Sequence, residues 1–97
     1  MKWTLIVAAF AAAPAHAQES PAARSLAATC ANCHGTGGRS VSTEVASLAG
    51  LPKDDIAAKL KGFRDGTRPA TVMQQLVRGY TDQQIGLIAE YFSGRPR

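Results

Sequence analysis

The chain reads as an all-α protein of three main helices and a short one. Apolar residues recur at helical spacing in separate stretches, and cap and stop residues bracket those stretches. No run alternates apolar with polar residues for long enough to argue a strand, and no internal repeat or low-complexity tract is present.

The first helix begins in "QESPAARSLAATCANCHG", where Ser20 suits a cap and Pro21 the first helical position. The alanine-rich run that follows has high helix propensity and no breaker, with Leu26 as its clearest apolar anchor. It can therefore carry through to Cys30, Cys33 and His34, placing them at the helix's C-terminal end. From Gly35 to Gly50 the chain holds four Gly and five Ser/Thr with no sustained period, which predicts a loop. In "LPKDDIAAKLKGFRDGTRP", Ile56, Leu60 and Phe63 form the apolar stripe of a second helix between Pro52 and Gly66. A helical turn or two follows around Val72, Met73, Leu76 and Val77. The last helix has Thr81 and Gln84 as a capping box, then Ile85, Ile88, Ala89 and Phe92, and Gly94 as its stop.

The N-terminus has a different character. Lys2, an apolar run of eleven residues from Trp3 to Ala13, and the small-x-small tripeptide Ala15-His16-Ala17 have the layout of a secretory signal peptide. The run is well short of the roughly 20 residues that cross a bilayer as a helix. Cleavage after Ala17 makes residues 1–17 a removed signal and leaves residues 18–97 as one exported, periplasmic domain with no membrane insertion. The net charge of +4 falls to +3 without Lys2, and the acids and bases are scattered. That pattern excludes a nucleic-acid footprint, which needs clustered Lys/Arg with interleaved aromatics.

Eighty residues lie near the lower limit for a self-sufficient core, so such a chain often carries a staple or a bulky ligand. Its two cysteines are too close together to close a useful disulfide loop. They stand in "CANCHG", a Cys-x-x-Cys-His, for which zinc, a redox dithiol and covalent haem are the chemistries to weigh. Structural zinc wants four ligands, and the mature chain offers Cys30, Cys33 and His34. A thioredoxin-like dithiol starts a helix after a strand, whereas this motif ends a helix. Covalent haem needs this spacing, with both thiols on the haem vinyl groups and the next residue, His34, on the iron. One haem c, attached through Cys30 and Cys33, is the expectation, and it would also fill the core.

Haem iron in electron carriers takes a second axial ligand, usually Met or His. With His16 and Met1 in the signal, His34 is the mature chain's one histidine and Met73 its one methionine. Met73 is therefore the expected ligand opposite His34. The rivals are an open sixth position, which would suit a ligand-binding or peroxidase-like haem protein, and Lys59 or Lys61, which more simply solvate the second helix. A His/Met iron is saturated and moves electrons rather than binding substrate. Leu26, Leu48, Leu51, Leu60 and Phe63, then Leu76, Tyr80, Ile85 and Ile88, are candidates for the haem wall, and Arg39 and Arg68 for its propionates.

With Cys30-x-x-Cys33-His34 after an N-terminal helix, a downstream Met73 and a C-terminal helix, the chain resembles a class I cytochrome c. More narrowly, "LAGLP", "KLKGFRDGTRPATVM" and "RGYTDQQIGLIAEYF" are similar to the small haem subunit of flavocytochrome c sulfide dehydrogenase and its bacterial relatives. The resemblance implies the class I cytochrome c fold, with the Met of Ala-Thr-x-Met, here Met73, as axial ligand. It also implies a subunit that is not catalytic alone. Such a subunit takes electrons from a flavoprotein that oxidises sulfide and passes them to a downstream cytochrome or oxidase. A free soluble monohaem carrier is the alternative. Many class I cytochromes have a proline after the haem motif whose carbonyl orients the proximal histidine. None stands between His34 and Leu51, so another carbonyl of the Gly/Ser loop must do so.

Overall fold

The computed structural model describes residues 2–9, 11 and 20–97, and among these it contains helices and no strand. The proposed cleavage tripeptide, Met1 and His16 lie outside the described residues. Residues 2–9 are exposed and in no helix, with Trp3, Leu5, Ile6 and Val7 all more than four-fifths exposed.

Helix α1 spans Pro21–His34. Ser20 caps it, its hydroxyl accepting from the Ala23 N–H at 3.4 Å, and Pro21 opens it. Its buried positions, Ala23 and Ala27, lie one turn apart and present no bulk, so another helix can pack closely there. A single 3₁₀ turn, Thr36–Gly38, begins the loop that the Gly/Ser composition predicts.

Helix α2 spans Lys53–Asp65, with Asp54 and Asp55 in the first turn where the helix dipole favours acids, and ends at Gly66 in the left-handed region. It buries Ile56 and Leu60. Helix α3 is the short segment Met73–Val77, which buries Val77. Helix α4 spans Asp82–Ser93 and opens with the predicted capping box. The Gln84 N–H donates to Thr81 Oγ1 at 3.1 Å, and the Thr81 N–H donates to Gln84 Oε1 at 3.0 Å.

The stripe Ile85, Ile88, Ala89 and Phe92 on α4 is fully buried and meets both α1 and α2, while α3 packs on α2. One core results, joining Ala27 of α1, Ile56 and Leu60 of α2 and Val77 of α3 to that stripe. The architecture is that of the small class I cytochrome c fold expected from the sequence.

Arg64 ties the end of α2 to the start of α4. Its Nη1 donates to Asp82 Oδ1 at 2.6 Å and to the Tyr80 carbonyl at 3.3 Å, while Nε donates to Asp65 Oδ1 at 2.9 Å. The bond from Arg64, and then its charge, hold the Asp82 carboxyl below its ordinary value.

Two outcomes follow from this packing. Phe92→Ala removes a fully buried ring at the seam and should cost about 3–5 kcal/mol in denaturant unfolding. Because Asp82 is depressed in the folded state, its contribution is present above the unfolded value of about 3.9 and fades as pH falls through the folded one. Asp82→Asn should therefore flatten the decline of the thermal midpoint below about pH 4, read by circular dichroism across a pH series.

Candidate functional site

The last turn of α1 carries Cys30, Cys33 and His34, which at these spacings share one side of the helix. Cys30 is half-buried and packs against the core, Cys33 is exposed, and both are free thiols. Burial pushes the Cys30 thiol up from its ordinary value, opposed by smaller hydrogen-bonding effects from Thr29 and its own backbone, so it is held protonated.

Immediately beyond His34 the chain must turn sharply. Gly35 does this at φ +89°, where a side chain would run into the Arg39 carbonyl, and its N–H closes α1 onto the Ala31 carbonyl at 3.0 Å. Gly38, at φ +81°, makes a second reversal, and its carbonyl gathers the Leu48 N–H at 2.7 Å and the Ala49 N–H at 3.2 Å. Between these points a serine-rich bulge bonds to itself. The Ser40 N–H donates to Ser47 Oγ, Ser40 Oγ donates to the Ser42 carbonyl, and the Glu44 N–H donates to Ser42 Oγ.

This loop brings the Ala46 carbonyl to 2.6 Å from His34 Nδ1. A carbonyl can only accept, so Nδ1 carries the proton and donates, and Nε2 is left as the nitrogen with a free lone pair. The loop carbonyl required in the absence of a proline is thus that of Ala46. Its side chain plays no part in the bond, so no residue-type signal could have singled it out.

Met73 comes from a different element, at the first position of α3, and packs half-buried against the same core as Cys30. On either side of it Val72 and Leu76 are 56% and 55% exposed, an apolar ledge beside a soft thioether. Tyr80 links this region to the motif, its hydroxyl lying 3.4 Å from Thr29 Oγ1.

Of the other wall candidates, Leu60, Ile85 and Ile88 are buried in the core itself. Leu26, Leu48, Leu51, Phe63 and Tyr80 are partly buried against it. Of the two arginines, Arg39 Nη1 donates to the Pro96 carbonyl at 3.3 Å, and the Arg68 guanidinium lies over the Phe63 ring at 5.4 Å. Lys59 is exposed on α2 beside Asp55, Thr67 and Arg68, as a solvated lysine would be.

The donor set suits haem c better than its rivals. Among the described residues no three His, Cys, Asp or Glu side chains gather to hold a metal ion, as structural zinc would require. No strand precedes the motif among those residues, as a thioredoxin-like dithiol would require. Two thiols and an imidazole with free Nε2 share one helix end, and the apolar ledge beside Met73 is a surface that a porphyrin face would cover.

No protein-family profile matches the chain. Individual relatives do. The chain is 45% identical over 67 residues to the cytochrome subunit of sulfide dehydrogenase from Chlorobaculum tepidum, covering 69% of this chain and 60% of that protein. It is 37% identical to the thiosulfate dehydrogenase electron acceptor of Thiomonas intermedia, covering 89% of this chain and 39% of that protein. The chain thus spans less than two thirds of the length of these two relatives. With cytochrome c-553 of Nitratidesulfovibrio vulgaris the match is nearly end to end, 33% identical over 96% of this chain and 98% of that protein. With its helical fold, its Cys-x-x-Cys-His and these relatives, the chain belongs to the class I c-type cytochromes, proteins that transfer electrons through covalently bound haem c.

Proposed function

We propose that residues 18–97 form an exported, periplasmic electron-transfer domain in which His34 and Met73 hold a single haem iron. In this reading residues 1–17 are a cleaved signal, which agrees with the exposure of Trp3, Leu5, Ile6 and Val7. Cys30 and Cys33 are the thiols that would hold the haem covalently, each S–H adding across one vinyl group, sulfur to one carbon and hydrogen to the other, with no net redox change. His34 presents Nε2 because Ala46 holds Nδ1, and His34 and Met73, the latter from the start of α3, would be the side chains that hold the iron. When bound, haem supplies a one-electron iron couple, whose potential a His/Met pair raises relative to bis-His.

The donor we propose is a flavoprotein that oxidises sulfide, with this chain as its cytochrome subunit and a downstream cytochrome or oxidase as acceptor. The 45% identity to the sulfide dehydrogenase subunit carries this reading. A free soluble carrier is the second reading, favoured by the near end-to-end match to cytochrome c-553. No helix among the described residues is long and apolar enough to cross a membrane, which agrees with either.

The purified protein should have the mass of residues 18–97 plus one haem. Oxidised, it should show the weak long-wavelength absorption band that marks Met ligation. Met73→Ala should abolish that band and lower the midpoint potential while leaving haem attached, whereas Lys59→Ala should change neither. A band that survives in Met73→Ala would rule out Met73 as the ligand.

The partner is tested by mixing the oxidised cytochrome with sulfide and a flavoprotein encoded beside it. Reduction should be much faster with both than with sulfide alone, and a rate no faster than with sulfide alone would favour the free carrier.

A further inference from the structure

The loop that carries Ala46 is held at both ends by the last turn of α4 and the segment that follows it. At its start, Arg39 Nη1 donates to the Pro96 carbonyl at 3.3 Å. At its end, the Gly50 N–H donates to the Phe92 carbonyl at 2.9 Å, and Arg97 Nη2 donates to the Gly50 carbonyl at 3.4 Å. The segment is itself fixed: the Arg95 N–H donates to the Phe92 carbonyl at 3.1 Å, and the Arg95 guanidinium lies over the Tyr91 ring at 4.6 Å. The approach is close, because a Cβ on Gly50 would come within 2.6 Å of Arg97 Cγ.

We infer that Arg39 and the Arg95–Arg97 segment form a strap whose role is to hold the Ala46 carbonyl against His34 Nδ1. The inference rests on His34 ligating iron through Nε2. The serine-rich bulge is exposed along most of its length, and Val41 and Ala46 face solvent, so the hydrogen bonds within the bulge compete with water. Closing the loop at Arg39 and Gly50 removes the hinge motions that would swing Ala46 away. The arginines act through backbone carbonyls, and so they are positioning residues for the iron ligand.

The test is proton NMR of the ferrous holoprotein, comparing wild type with Arg39→Ala/Arg97→Ala and with a chain stopped after Gly94. In wild type the His34 Nδ1–H should be strongly shifted by the porphyrin ring current and slow to exchange with solvent. In both variants it should exchange at least about tenfold faster and move upfield as its hydrogen bond lengthens. The amides of Ile88 and Phe92 should keep their wild-type protection, which separates local loosening from global unfolding. Lys59→Ala/Arg78→Ala, an equal loss of charge outside the strap, should leave the resonance unchanged. Wild-type exchange and shift in both strap variants would overturn the strap while leaving His34 as a ligand. A His34 Nδ1–H without a ring-current shift in wild type would overturn both.

Discussion

The seam between the first and last helices is the constraint on which the rest of the structure depends. Ala23 and Ala27 leave a flat face on α1, and the buried stripe of α4 that meets it ends in Phe92. Phe92 is fully buried, and its ring leaves room at Gly38 for a hydrogen but not for a methyl, since a Cβ there would lie 2.7 Å from Phe92 Cδ1. One side chain thus joins the helix seam to the loop beyond the haem motif. The position of that loop decides where Ala46 stands, and Ala46 decides which nitrogen of His34 is free.

The site is accordingly built from three separate stretches of the chain rather than from the motif alone. Helix α1 supplies the thiols and the imidazole, the glycine turns at Gly35 and Gly38 bring a carbonyl back to the ring, and α3 offers Met73 with its apolar neighbours. Such a division suits a domain of this size. Its aliphatic core is small, and a covalently held macrocycle lying along Cys30 and the Val72–Leu76 ledge would add apolar contact at little conformational cost.

Much of this was legible in the chain because the signals were local. Ser20-Pro21, the Thr81/Gln84 capping box, Gly66 and the stripes of α2 and α4 each act within a turn or two of helix, and the structure has each element there. The Cys-x-x-Cys-His motif was legible for the same reason. The histidine's partner was not. Ala46 acts through its backbone, at a distance set by two glycines and a bulge of serines, so its residue type carried no information. The contacts that Arg39 makes with the Pro96 carbonyl and Arg68 with the Phe63 ring were not legible either. Long-range partners of flexible side chains depend on tertiary placement, which periodicity does not encode.

Membership in the class I c-type cytochromes rests on fold, motif and relatives, and the proposed direction of electron flow on similarity to the sulfide dehydrogenase subunit. The claim that binds these together is that α3 delivers Met73 to the iron opposite His34. Its most direct measurement is the position of the Met73 ε-methyl in the proton NMR spectrum of the ferrous holoprotein. A methyl bound on the porphyrin axis should resonate far upfield of every other methyl in the spectrum. A Met73 methyl at the ordinary position of a core methionine would contradict the account.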